Sequence, residues 1–236
     1  MKHYIAASVV ALMATGASAA TVDFGTNLDD TQNASDSTVH GEIFDVFDFG
    51  NGISGRVVVE NNGQDDPGEA RIFNSRLTGT SDRDLEGDFT NPADSTDVRD
   101  FGNILIIQER ARLASSEADD ERAGGAITFI FDQAINLLSL DYLDGERGAV
   151  ISAGASPLGT LGSNVNGDNE FTSFDFGNLA AATNITQFRV DFGGSGAIGA
   201  FDAELAVPVP VPAALPLMLL GLGGLGALRR RQNKKA

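Results

Sequence analysis

Residues 126–132 read AITFIFD, and the spacing of their apolar side chains indicates the fold of the chain. Ile127, Phe129 and Phe131 stand at every second position, which places them on one face of an extended strand. Residues 187–192 (QFRVDF) repeat this alternation, with polar or charged side chains between the apolar ones. A period of two is typical of a half-buried β-strand.

Similar short runs recur along the chain and are separated by Gly, Asn and Asp. They cover residues 43–49, 53–60, 70–73, 104–108, 137–143, 149–153, 171–176 and 200–206. Ten or so strands with turns between them predict an all-β fold, a two-sheet sandwich of jelly-roll type. Residues 108–122 (QERARLASSEADDER) hold only four apolar residues, so we expect a solvated loop there.

The first 19 residues have the features of a secretory signal peptide. A positively charged start precedes the short apolar run Ile5–Met13, and the small residues 17–19 (ASA) follow. We therefore predict cleavage between Ala19 and Ala20. A buried N-terminal helix is the alternative, but no amphipathic stripe accompanies the run.

The other end carries a second hydrophobic segment. Ala213–Leu228 is uncharged and would measure about 24 Å as a helix, against a hydrocarbon core of about 30 Å. Arg229, Arg230 and Arg231 follow directly, so the positive-inside rule leaves this tail in the cytoplasm and the preceding chain outside.

A short motif precedes that segment. It consists of Val209, Pro210, Val211, Pro212 and Ala213. Motif, apolar segment and arginine cluster together resemble the tripartite PEP-CTERM sorting signal in its VPLPA variant, with Val211 in place of Leu. The resemblance covers the last 28 residues or so. It implies a Gram-negative host that makes extracellular polysaccharide, and an exosortase, a membrane cysteine protease or transpeptidase, that reads the signal. An ordinary C-terminal anchor is the alternative.

The region between these ends, residues 20–206, is strongly acidic. It contains all 33 Asp and Glu residues of the chain but ten Arg and no Lys, which gives a formal charge of −23. Nucleic acid is excluded as a partner because phosphate binding needs a basic surface. The chain has no cysteine, so the domain folds outside the cell without disulfides. Solubility in a salty habitat and a capacity to hold divalent cations remain two interpretations of the acidity.

Catalytic signatures are weak in residues 20–206. The region has a single histidine, His40, and no serine stands in a Gly-x-Ser-x-Gly motif. Aromatic platforms for sugars are scarce, because Trp is absent and Tyr142 is the one tyrosine of the region. Because acidic residues are so numerous, a pair of carboxylates for glycoside hydrolysis remains an alternative. We nevertheless expect a protein that is not an enzyme.

Two familiar motifs lack their usual structural context here. The triplet Asp-Phe-Gly occurs without the remaining kinase motifs, so we expect Phe to enter the core and Asp-Gly to form turns. Residues 194–199 (GSGAIG) match the dinucleotide-binding fingerprint, but no helix or second strand can follow before the sorting motif. The five triplets begin at Asp23, Asp48, Asp100, Asp175 and Asp191.

Several blocks of the acidic region resemble a β-rich domain that recurs in secreted PEP-CTERM-type proteins. The blocks are residues 70–89, 102–109, 119–132, 137–144 and 190–205. The resemblance implies an extracellular location and no particular activity. The chain departs from it at Gly199 and Ala200, where the family pattern has Asp-Asn.

The loop DRDLEGD is a candidate calcium site. Its acidic residues alternate and are followed by Gly, as in the first half of a calcium-binding loop, where oxygen ligands converge on the cation. The candidate ligands are Asp82, Asp84, Glu86 and Asp88. The second half of such a loop is missing, so a remote carboxylate would have to complete the coordination. The alternative is an acidic turn in an acidic protein.

These observations predict three regions: a signal peptide (1–19), a β-sandwich domain (20–206) and a sorting signal (207–236). We expect an exported, non-enzymatic extracellular matrix or cell-surface protein that is processed by an exosortase and associates with exopolysaccharide. The alternative is a carbohydrate-binding or carbohydrate-active β-sandwich module. No cofactor is required, and calcium is the candidate ion.

Overall fold

The computed structural model describes residues 19–24, 40–49, 52–63, 68–109, 118–145, 147–162 and 167–206. These residues belong to one unit that ends at Ala206. Residues 1–18 and the whole predicted sorting signal lie outside the described residues. No helix in the described ranges is long and apolar enough to cross a membrane.

The described residues form an all-β fold, as the alternating pattern predicts. Apart from one 3-10 turn at Ala180–Ala182, they contain no helix. The strands are β1 Ala20–Asp23, β2 Val46–Asp48, β3 Ser54–Asn61, β4 Ala70–Asn74, β5 Phe89–Asn91, β6 Asp94–Arg99, β7 Asn103–Ile107, β8 Gly125–Leu143, β9 Ala149–Ala153, β10 Ser156–Leu161, β11 Phe171–Asp175, β12 Ile185–Phe192 and β13 Ala197–Leu205.

Strand β8 organises the fold because its two halves have different neighbours. Its first half pairs with β3 and β12, and its second half pairs with β13 and β11. The sequence pattern predicts two strands, 126–132 and 137–143, whereas the structure has one strand of 19 residues. The alternation breaks at Gln133, but the strand continues, and Ile135 pairs with Ile185 of β12 and with Leu205 of β13.

The strands form one large antiparallel sheet and one small sheet. The main path of the large sheet is β10-β9-β12-β8-β13-β7-β4; β1 joins it at β13, β11 at β8, and β2 through β3. β5 and β6 make the two-stranded sheet. The arrangement is compatible with the predicted two-sheet sandwich.

The main core joins the two halves of the large sheet. Phe129 of β8 stacks on Phe188 of β12 with 4.7 Å between ring centroids. Both rings also contact Phe201 of β13 edge to face, at 5.2 and 5.1 Å. All three side chains are buried. Strands that pair with opposite halves of β8 therefore pack their inner faces together.

A second core lies under residues 75–102, which we call the cap. Leu85 and Phe89 of the cap pack with Phe73, Ile104 and Ile106. Each of these side chains is completely buried. This packing gives the polar cap a fixed position over the sheet. The polarity of its sequence explains why β5 and β6 were not predicted.

The predicted solvated loop is wrong in its described parts. Gln108, Ala118, Asp120 and Glu121 are buried, and residues 110–117 lie outside the description. The reason is pairing: Gln108 forms an isolated antiparallel bridge with Asp120. Its side-chain oxygen also accepts a hydrogen bond from the backbone N–H of Asp119 at 3.3 Å.

The expectation for the Asp-Phe-Gly triplets is confirmed for the phenylalanines. Four of the five are buried and join the main core; Phe101 is half-buried against the second core. The four buried residues are Phe24, Phe49, Phe176 and Phe192.

Strand β13 defines two ends of the described unit. At its start, Ala197 pairs with Leu143, the last residue of β8. At its other end, Leu205 pairs with Ile135. β13 has nine residues, and its eight steps of about 3.3 Å separate these ends by roughly 26 Å. The acidic residues described next lie at the Ala197 end.

Candidate metal centre

Three carboxylates from distant parts of the chain meet at the Ala197 end of β13. Asp82 comes from the cap, and Asp119 and Asp120 come from the segment that leads into β8. One oxygen of each lies within 4.8 Å of the other two. Asp82 and Asp120 are buried, with 4% and 7% of their surface exposed. Acidic groups are rarely this buried without a partner or a cation.

Asp120 is held by the turn between β12 and β13. Its carboxylate accepts hydrogen bonds from the Ser195 hydroxyl at 2.6 and 2.7 Å and from the Gly196 N–H at 2.6 Å. The N–H of Asp120 donates to the Asp82 carboxylate at 3.1 Å. A Cβ at Gly196 would lie 2.6 Å from the Tyr142 hydroxyl, so only glycine fits this turn.

Ser195 and Gly196 belong to the GSGAIG motif. The motif therefore positions a carboxylate in the structure, and it starts a strand instead of a helix. The strands on either side of the motif, β12 and β13, both pair antiparallel with β8, whereas a βαβ unit needs parallel strands.

A second group of carboxylates adjoins the first. Oxygens of Asp84, Asp144 and Asp168 lie within 4.8 Å of one another. Asp144 follows β8 and is completely buried, whereas Asp168 precedes β11 and is exposed. The backbone N–H of Asp144 donates to the Glu170 carbonyl at 2.9 Å. Loops at one end of the sheet thus supply six carboxylates.

The four residues predicted from the loop motif separate into two pairs. Asp82 and Asp84 belong to the two groups of carboxylates. Glu86 instead accepts hydrogen bonds from the N–H and hydroxyl of Thr80, at 2.6 and 2.8 Å. Asp88 is exposed and belongs to neither group. The motif locates the loop, but only its first two acids face other carboxylates.

Sequence reasoning missed four members of these groups: Asp119, Asp120, Asp144 and Asp168. The sequence does mark these acids by position, because the Asp119-Asp120 pair precedes the predicted strand at 126–132 and Asp144 follows the one at 137–143. Without the topology, however, nothing in the sequence shows that residues on both sides of β8 meet at one end of the sheet. The pairing brings the two ends of β8 together, because Gly125 lies opposite Phe192 and Leu143 lies opposite Ala197, and only the short turn at 193–196 separates these two partners.

Burial and mutual repulsion disfavour ionisation of these groups. Burial, the neighbouring Asp84 and the charge of Asp120 raise the pKa of Asp82. Burial also raises the pKa of Asp120, although the hydrogen bonds from Ser195 and Gly196 oppose this effect. Burial and the charge of Glu109 raise the pKa of Asp119 to about 6. A bound cation would reverse these shifts by neutralising the charge.

Among the described residues, no arginine forms an ion pair that would supply this neutralisation for the first group. Arg122 and Arg147 line the same cleft, but no ion pair among the described residues joins an arginine to Asp82, Asp119 or Asp120. The cleft has a volume of about 360 Å³ and is open on one side. Its lining consists of Ser81, Asp82, Asp84, Glu109, Asp119, Asp120, Arg122, Arg147 and Ser195.

The chemistry of this donor set fits a hard divalent cation. Ca²⁺ takes about 6–8 oxygen ligands from carboxylates, carbonyls and water in a flexible geometry. Every acidic group here offers oxygen, and no cysteine or histidine lines the cleft among the described residues. The described lining therefore offers no thiolate or imidazole ligand for a softer metal ion.

His40 has a packing role. Its Nδ1 accepts a hydrogen bond from the Asn74 N–H at 3.1 Å, and its ring meets Phe73 edge to face at 5.1 Å. Burial lowers its pKa, so the ring is neutral at pH 7.

Comparison of the chain with protein-family models, with curated proteins and with solved structures finds no significant match.

Proposed function

We propose that this chain is an exported, non-enzymatic surface or matrix protein whose jelly-roll-like sandwich is stabilised by Ca²⁺ at the acidic cleft. The observation that carries the cation site is the meeting of Asp82, Asp119 and Asp120, two of them buried, with no ion pair to an arginine in the part of the chain that the structure describes. Extracellular modules bind Ca²⁺ with dissociation constants of about 10⁻⁴–10⁻³ M, so a weak site of this kind suits an exported protein.

Export and processing rest on the sequence of the two ends. The signal peptide would deliver residues 20–206 across the inner membrane. An exosortase-type enzyme would then act at Val209–Ala213. The charge of −23 and the absence of cysteine suit a protein that folds in a cation-rich exterior without disulfides. Exopolysaccharide is the proposed surrounding material.

Mass spectrometry of the extracellular fraction tests the processing. We expect a protein that lacks residues 229–236. An intact C-terminus would contradict processing. Replacing Pro210 and Pro212 with Ala should leave the protein in the inner membrane, because the hydrophobic segment would insert while motif recognition failed.

Isothermal titration with CaCl₂ tests the cation site in the purified exported protein. We expect saturable binding that the double variant Asp82→Asn/Asp120→Asn abolishes. Asp88→Asn is the matched control, since it changes an acid of the same loop that faces neither group of carboxylates. Equal binding by all three proteins would contradict the site and would indicate diffuse counterion association.

A carbohydrate-binding role is the second candidate, and the open cleft is the observation that favours it. Its volume of about 360 Å³ falls in the range of small-ligand sites. A cation held by three carboxylates keeps positions for sugar hydroxyl or carboxylate oxygens. Calcium-dependent binding on a glycan array would support this role, and retention in the exopolysaccharide fraction without glycan binding would favour the matrix role.

A further inference from the structure

The described unit begins with a strand whose first residue is the predicted first residue of the mature protein. β1 runs antiparallel to β13, with Ala20 opposite Ala203 and Thr21 opposite Asp202. Val22 is completely buried in the main core. β1 is thus paired within the sheet from its first residue onward.

Two carboxylates flank the residue that faces Ala20. Asp202 and Glu204 stand on either side of Ala203, the residue with which the pairing of β1 and β13 begins. Asp202 accepts hydrogen bonds from the hydroxyls of Thr21 and Ser139 at 2.6 and 2.7 Å. Hydroxyl groups orient this carboxylate without neutralising it.

The described contacts of these two carboxylates are with neutral groups. Glu204 accepts a hydrogen bond from the neutral amide of Asn136 at 3.0 Å. Within the described ranges, no arginine forms an ion pair with Asp202 or Glu204. The region 20–206 also has no lysine.

We infer that signal-peptide removal between Ala19 and Ala20 supplies the missing counter-charge at this sheet edge. Hydrolysis of that peptide bond converts the neutral amide nitrogen of Ala20 into an α-ammonium group, because the α-amino pKa is about 7.7–8.0. The register places this cation beside Asp202 and Glu204. Cleavage therefore adds an ion pair that fastens β1 to β13. The inference rests on the proposed cleavage site.

The amine chemistry of the chain makes a clean test. Lys2 would leave with the signal peptide, and Lys234 and Lys235 lie in the C-terminal tail. In protein processed at both ends, the α-amino group of Ala20 is therefore the one primary amine. Acetylation with an N-hydroxysuccinimide ester then removes this single charge.

The experiment compares urea unfolding of the exported protein before and after acetylation. We expect acetylation to raise the unfolding equilibrium constant by up to ~5-fold, the size of a partly exposed ion pair. The double variant Asp202→Asn/Glu204→Gln keeps hydrogen-bond acceptors for Thr21 and Asn136. In this variant the effect of acetylation should disappear. In the control Glu42→Gln/Asp88→Asn, which removes two exposed acids elsewhere, it should remain.

The cleavage site and the ion pair are tested by different measurements. Mass spectrometry that finds an N-terminus other than Ala20 overturns the proposed cleavage and this inference with it. An Ala20 N-terminus with no change in stability on acetylation overturns the ion pair alone. An effect of acetylation on stability that is as large in the Asp202→Asn/Glu204→Gln variant as in the native protein also overturns the ion pair.

Discussion

The two halves of the loop at residues 82–88 have equal spacing in the sequence and different roles in the structure. Asp82 and Asp84 face carboxylates from other loops. Glu86 bonds to Thr80 within its own loop, and Asp88 is exposed. Leu85, between the halves, is completely buried in the second core.

This contrast teaches that a metal-ligand pattern in sequence identifies donors only when the donors converge. The EF-hand loop converges by itself, since it carries all its protein ligands. Here the convergence depends on the strands, which bring the ends of β8 and the start of β13 beside the cap. Substitutions in the two halves should therefore differ in their effect on calcium binding.

The largest effect should come from the buried pair. In Asp82→Asn/Asp120→Asn, we expect the stabilisation by Ca²⁺ to vanish, a loss of about 2.7 kcal/mol at a hundred times the dissociation constant. Without Ca²⁺, the variant should be as stable as the native protein or more so, because it no longer buries repelling carboxylates. Urea unfolding with Ca²⁺ and with EDTA measures both. A variant that keeps the full calcium response would contradict the role of this pair.

The pH dependence of the calcium-free protein should be the next largest effect. The folded-state pKa of Asp119 is about 6, and those of Asp82 and Asp120 are also raised. The folded state therefore holds more protons than the unfolded state above pH ~4, and stability falls as pH rises from ~4 to above 6.

Calcium should change this profile. Binding needs deprotonated carboxylates, so the gain in stability from Ca²⁺ should increase over the same pH range. Urea unfolding at pH 4.5, 5.5 and 6.5, at constant ionic strength, measures the two slopes. A calcium-free protein that becomes more stable between pH 4.5 and 6.5 would contradict the raised pKa values.

Glu86→Gln should have a moderate effect of another kind. The amide weakens the two hydrogen bonds from Thr80, and we expect a loss of about 1 kcal/mol in the free energy of unfolding. The calcium response should stay unchanged, because Glu86 faces its own loop. A reduced calcium response in Glu86→Gln would place this residue among the ligands.

Asp88→Asn should have the smallest effect. An exposed side chain with no described hydrogen bond should change the free energy of unfolding by less than about 0.5 kcal/mol. Its calcium titration should match that of the native protein. A larger change would show that the exposed half of the loop contributes to binding.

The all-β class was predictable because it follows from local alternation. The runs at 126–132 and 187–192 bury one face each, and the structure keeps those faces in the core. The cap was not predictable in the same way. Its burial depends on Leu85 and Phe89 meeting a distant sheet face, and its own sequence is polar with no regular period.

The candidate site was half predictable for a related reason. The loop containing Asp82 and Asp84 has a local motif. Asp120 has none, and its position depends on Ser195 and Gly196, 75 and 76 residues further along the chain. Contacts at that separation are set by topology, which single-sequence patterns do not encode.

The central claim is that the acidic cleft binds Ca²⁺ and that this binding stabilises the fold. A thermal melt of the purified exported protein in millimolar CaCl₂ and in EDTA, at constant ionic strength, tests it most directly. We expect a higher melting temperature in CaCl₂, and a difference that disappears in Asp82→Asn/Asp120→Asn but persists in Asp88→Asn. An unchanged melting temperature in the native protein, or a shift of equal size in all three proteins, would contradict it.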